Sequence, residues 1–196
     1  DILAGTSSGE GHLRIAMGDW DGGLQALRRL EPLSLPMAAR AAGSRMAALG
    51  AWLGAVSPST ADSALSRLRA LPGSASVLAD RAEQLWIDGL LGVLLNQPER
   101  TRTALATLRA DTSGVLRQVA RSLEAVRLDR AGIAGAADSA MAVSDDTMRD
   151  GGFLMSVESV NRLIVARALV RRGQPERAER YLRWTDAGSN TPRTSS

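Results

Sequence analysis

From Ala75 to Leu95 the chain reads ASVLADRAEQLWIDGLLGVLL, with apolar residues three and four apart and polar residues between them. That period predicts a helix, and it stops at Asn96-Gln97-Pro98. Pro98 opens a second predicted helix, Glu99 to Ala110, at a first-turn position where a missing N–H costs nothing. The same order returns near the end of the chain. A helical pattern over Ser159–Arg172 meets the turn Gly173-Gln174, then Pro175, then a second predicted helix over Glu176–Asp186. Both stretches read as helical hairpins.

Three further hairpins emerge when the chain is compared with itself. Five turn anchors, Gly18, Val56, Asn96, Gly132 and Gly173, are separated by 38, 40, 36 and 41 residues. The fifth residue after each anchor is Gly23, Ala61, Thr101, Ala137 and Ala178, all small. The ninth is Leu27, Leu65, Leu105, Met141 and Leu182, all large and aliphatic. Seven residues before the anchors stand Gly11, Leu49, Gly89, Ala125 and Ala166, of which only Leu49 is large. A small residue on each helix lets the axes approach, and the larger residue one turn on fills the groove beside it.

These residues resemble the tetratricopeptide repeat. The match is best at Gly11…Gly18-Asp19-Trp20…Gly23…Leu27…Pro32 and good at Gly89…Asn96…Thr101…Leu105 and Ala166…Gly173…Ala178…Leu182. All four spacings exceed the roughly 34 residues usual in the family, so the units are divergent. Leu49 and Val56 depart from the pattern in the second unit, and Ser144-Asp145-Asp146 in the fourth. The resemblance implies an all-α, right-handed solenoid of about five helical hairpins over residues 5–187. Asp145–Phe153, polar and Gly-rich, is expected to be a loop, and 188–196 a disordered tail.

Composition narrows the chemistry. The chain has no Cys, no Lys and a single histidine, His12; all 24 of its basic side chains are Arg. Thiol nucleophiles, disulfides, Schiff bases, phosphate-loop lysines and Cys or paired-His zinc sites are therefore excluded. The net charge of +3 is modest, and the isoelectric point near 10.7 follows from every base being Arg. Aromatics make up only 3%, which suits closely packed helices better than sheets. The longest apolar run, Gly89–Leu95, falls well short of the roughly 18 residues that cross a bilayer. The amino end has neither a Met start nor a signal pattern, so a processed form or fragment, cytoplasmic in location, is expected.

Few motifs suggest catalysis. Gly5-Thr6-Ser7-Ser8-Gly9 matches the nucleophile-elbow spacing, but no strand precedes it, and a flexible lead-in to the first helix is expected. Asp19-Trp20-Asp21-Gly22 lacks the later ligands of a calcium loop, so Asp19 is read as a helix N-cap and Trp20 as hairpin packing. Asp145, Asp146 and Asp150 could gather around a cation, though a solvated loop is the simpler reading. Glu83/Asp88 and Glu124/Asp129 are each five apart and share no helix face. Neither metal nor cofactor is expected.

Partner binding is what remains. In the family, partners lie along a groove lined by the first helix of each unit. The resemblance carries this to Met46, Leu53, Trp86, Leu90, Val93, Val126, Arg130, Arg167 and Arg171: apolar in the middle, cationic at one end. Such a face suits a peptide with an apolar anchor and an acidic flank. The family's carboxylate clamp is not carried over, since Ser122 and Val126 stand at the matching places. The expected function is a non-catalytic protein-interaction scaffold, of the kind found in bacterial signalling or transcription-regulatory proteins. Two alternatives compete with it: an all-α hydrolase with Glu83 or Glu124 as its acid, and a helical-repeat RNA binder, which the lack of aromatics near the Arg residues disfavours.

Overall fold

The computed structural model describes residues 2–74, 76–111, 113–133, 135–150 and 155–182, with side chains from residue 5 onward and outside 145–156. The elements are α1 (Ile2–Ala16), α2 (Trp20–Arg28), α3 (Met37–Arg40), α4 (Ala42–Leu53), α5 (Pro58–Ala70) and α6 (Leu78–Leu94). They continue with α7 (Pro98–Ala110), α8 (Gly114–Arg130), α9 (Ala136–Asp150), α10 (Met155–Arg171) and α11 (Pro175–Leu182). The fold is all-α; no strand occurs among the described residues.

Start signals act as their chemistry predicts. Asp19 caps α2 by accepting the Gly22 N–H at 3.0 Å, and Ser57 and Ser113 accept the N–H groups of Thr60 and Leu116 at 3.1 Å. Pro58, Pro98 and Pro175 stand first in their helices. Two expectations fail. Gly5–Gly9 is not a flexible lead-in but part of α1. Asp145–Asp150 is not a loop, because α9 runs on to Asp150; no Gly or Pro interrupts it before Gly151. The expected continuation of the last helix to Asp186, and the tail, lie outside the described residues.

All five hairpins turn alike. The N–H groups of Asp19, Ala55, Gln97, Ile133 and Gln174 donate to the carbonyls of Arg14, Gly50, Gly92, Leu128 and Leu169 at 2.7–3.0 Å. The residue before each donor has positive φ: Gly18 (88°), Gly54 (79°), Asn96 (56°), Gly132 (67°) and Gly173 (72°). This pairing closes orphan carbonyls at a helix C-terminus. The second anchor is therefore Gly54, not Val56. Counted from Gly54, the residue seven places earlier is Ala47, and the series becomes Gly11, Ala47, Gly89, Ala125 and Ala166: every member small and buried. Leu49 was an exception only because the anchor was misplaced by two residues.

In the second helices Leu27, Leu65 and Leu105 are buried as expected. Met141 is only half-buried and Val143 is buried in its stead, because α9 starts four residues after its turn glycine whereas α2, α7 and α11 start after two. Leu182 is 54% exposed, on the outer side of α11.

Helices α1/α2, α4/α5, α6/α7, α8/α9 and α10/α11 pair as hairpins. The first helices then pack in series, α4 on α6, α6 on α8 and α8 on α10, and α10 also reaches back to α4 and α6. The inner helices thereby enclose one continuous core running from Ala47 to Tyr181. The first hairpin is held by a smaller cluster, Ile15, Leu27, Leu30 and Ala42, with Trp20 packed on it. Close approach in that hairpin depends on missing side chains: a Cβ on Gly11 would stand 2.6 Å from Leu27 Cγ.

Gly11→Val should therefore cost about 1–3 kcal/mol by overpacking, and Leu90→Ala in the central core about 2–5 kcal/mol. Urea unfolding followed by circular dichroism measures both.

Candidate partner-binding surface

The expected inner groove is filled. Trp86, Leu90 and Val126 are each 0% exposed, so the groove assignment is corrected at these positions: they are core residues that no partner touches. The cause is the return of α10 onto α4 and α6, which brings the first helices face to face. Trp86 also anchors a polar string through this core. Its Nε1–H donates to Ser122 Oγ at 3.0 Å, and Ser122 Oγ–H donates to Asn161 Oδ1 at 2.8 Å. Three inner helices are joined by it.

The other expected groove residues divide. Met46 packs, half-buried, on the first-hairpin cluster, and Val93 is half-buried against the main core. Leu53 is half-exposed. Arg167 is occupied: it pairs with Asp129 at 2.7 Å, and its guanidinium lies 5.2 Å from the Trp52 ring centroid. It thus bridges α8, α10 and α4 where the groove would open. Arg130 and Arg171 are exposed, with no ion pair among the described residues.

Carboxylates proposed for acid–base work are all tied to guanidinium groups. Glu83 is buried and takes a bidentate pair from Arg45 at 2.8 and 3.1 Å. Asp88 meets Arg69 at 3.2 Å and Arg100 at 2.8 Å. Glu124 meets Arg127, and Asp129 meets Arg167, both at 2.7 Å. The Gly5–Gly9 segment lies inside a helix, so Ser7 sits on no strained elbow, and His12 is exposed with Nδ1 2.8 Å from the Ser8 carbonyl. No group of possible metal ligands occurs among the described residues; the side chains of Asp145, Asp146 and Asp150 lie outside them.

What the outer surface does offer is a pair of adjoining clefts. One, of about 590 Å³, lies between the α6–α7 turn, α7 and the C-terminal half of α8, with Val93 and Leu105 beside Arg102, Arg109, Arg127 and Arg130. The other, of about 450 Å³, lies between α7, α8 and α9 and adds Arg117 and Arg121. Arg109 and Glu124 belong to both. Of these residues, Val93 and Arg130 were expected at a binding surface. The sequence does carry a signal for part of the rest: Arg117, Arg121, Glu124 and Arg127 recur at helical spacing along α8, a charged stripe beside the apolar one of Leu116, Val119, Leu123 and Val126.

Glu124 sits amid these cations. Hydrogen bonds from Arg127 hold its pKa below the ordinary carboxylate range, burial opposes this, and Arg109 adds to the lowering. Asp80 goes the other way: burial raises it, the neighbouring Glu83 raises it further, and Arg45 offsets only part. The depressed Glu124 contributes stability that is present above its unfolded-state pKa and lost as pH falls through its folded value. The raised Asp80 imposes a cost that appears as pH rises through its folded value. Asp80→Asn should therefore raise Tm at neutral pH and leave it unchanged in acid. Glu124→Gln should lower Tm at neutral pH and converge with the wild type in acid. Thermal unfolding across a pH series checks both signs.

No protein-family model, curated protein or solved structure matches the chain.

Proposed function

We propose that this chain is a non-catalytic interaction module, a divergent tetratricopeptide-like solenoid of helical hairpins that binds a partner protein on its outer surface. One observation carries the reading: the same close-packed hairpin recurs five times, with a small buried residue seven places before each positive-φ turn. Repeats of this kind gain their core from their neighbours and present extended surfaces to partners. With the inner face packed shut, the outer clefts of α7 and α8 offer a concave surface to a partner.

The competing hydrolase draws no support from its carboxylates. A general acid working near neutrality needs a raised pKa, whereas Glu124, the one in a cleft, is held low by Arg127. Glu83 is enclosed by its pair with Arg45 and lines neither cleft. RNA binding through stacked bases calls for aromatic side chains among the cations. Trp20, Trp52, Trp86 and Tyr181 line neither cleft.

A displayed random-peptide library panned against the intact chain tests this reading. Enriched peptides are expected to cross-link to α7 and α8, and not to Trp86, Leu90 or Val126. A selection that yields no peptide above background overturns the proposal.

A further inference from the structure

Among the described residues the two clefts hold six arginines, Arg102, Arg109, Arg117, Arg121, Arg127 and Arg130, and one carboxylate, Glu124. Arg102 pairs with Glu99 on the rim, and Arg127 and Arg109 share Glu124, the latter at 3.8 Å. Arg117, Arg121 and Arg130 make no ion pair among the described residues. A surface that gathers guanidinium groups and leaves half of them without an ion pair among the described residues is complementary to carboxylates, which Arg takes with a planar two-pronged fork.

We propose that the α7–α8 face docks an acidic peptide segment of a partner protein, and that Glu124 is an internal carboxylate which this segment displaces from Arg109 and Arg127. The inference rests on the chain being an interaction module. Three features favour a peptide. First, the clefts share a wall, so the site is elongated: from Arg117 to Arg130 helix α8 advances about 20 Å, the length of about six extended residues. A lone anion would use a fraction of it. Second, Val93 and Leu105 line the larger cleft next to the cations, a place for one apolar side chain between acidic ones. Third, neither cleft contains an aromatic platform for a base.

Glu124 gives the proposal its distinctive signature. Its hydrogen bonds to Arg127, at 2.7 and 3.0 Å, already use the fork that an incoming carboxylate would want. A ligand must displace this contact and overcome repulsion from the Glu124 charge, so the carboxylate lowers affinity and raises the acidity a partner needs. Removing its charge frees two arginines without adding any contact.

Fluorescence anisotropy with a labelled oligoglutamate peptide carrying one central leucine tests this, with its all-glutamine counterpart and an oligouridylate of equal charge in parallel. The wild type is expected to bind the acidic peptide in a salt-sensitive way and to ignore the glutamine version. Glu124→Gln should tighten binding about two- to fivefold, the range of one partly exposed ion pair. Arg121→Glu/Arg130→Glu should weaken it by about tenfold or more, while Arg171→Glu, off the site, should leave it unchanged. Thermal unfolding confirms that each variant is folded. Binding that is absent in both the wild type and Glu124→Gln, or that Glu124→Gln leaves equal or weaker, overturns the proposal. Tighter binding of the oligouridylate assigns the face to nucleic acid instead. Display-selected peptides that lack acidic residues and still bind Arg121→Glu/Arg130→Glu would sink this site and leave the interaction-module reading standing. A selection with no winners would sink both.

Discussion

The close approach of helix pairs at small side chains is the constraint on which the rest of this molecule depends. Gly11, Ala47, Gly89, Ala125 and Ala166 occupy one place in five hairpins, each two turns before a positive-φ residue. At Gly11 the partner side chain Leu27 occupies the space a Cβ would need. With little volume between axes, the larger residues on the same helices must find room elsewhere. Trp86, Leu90, Leu123 and Val126 find it on the inner side, where α10 comes back to meet α4 and α6. The same packing that makes the hairpins also closes the groove between them.

Closing the inside moves function outward. An apolar stripe that looks like a binding face along single helices becomes core once four helices share it, and Arg167, from its cationic end, is retained at the mouth by Asp129 and Trp52. The polar string from Trp86 through Ser122 to Asn161 fits the same picture. Buried hydrogen-bonding groups seek one another, and these two bonds join α6, α8 and α10. The surface that remains for recognition is outside, where arginines crowd around a single carboxylate.

Much of the fold was legible in the sequence because it is local. Helical periods, prolines at first helical positions and the caps Asp19, Ser57 and Ser113 act over three or four residues, and pattern reading captures them. The repeat itself was legible except at Val56, where α5 starts two residues later relative to its turn than α7 does. Burial of Trp86, Leu90 and Val126 was not legible, since it arises from the meeting of α4 and α10, which lie more than a hundred residues apart in the chain. The arginine clefts were partly legible: the spacing of Arg117, Arg121 and Arg127 is helical, but that they meet Arg102 and Arg109 of another helix is a tertiary fact.

The contact of α10 with α4 alters how such a chain should come apart. An open array of repeats unravels from its ends, because each unit answers only to its neighbours. Here the second hairpin is fastened to the fifth, so no unit from α4 onward is terminal in the mechanical sense, and loosening any of them disturbs the shared interior. Among the described residues the first hairpin, with its separate small cluster, is the portion least tied to that interior. Cooperative melting of a large block, preceded by loss of a short leading segment, is the behaviour this topology encodes, and the long sequence separation of the closing contact slows its assembly.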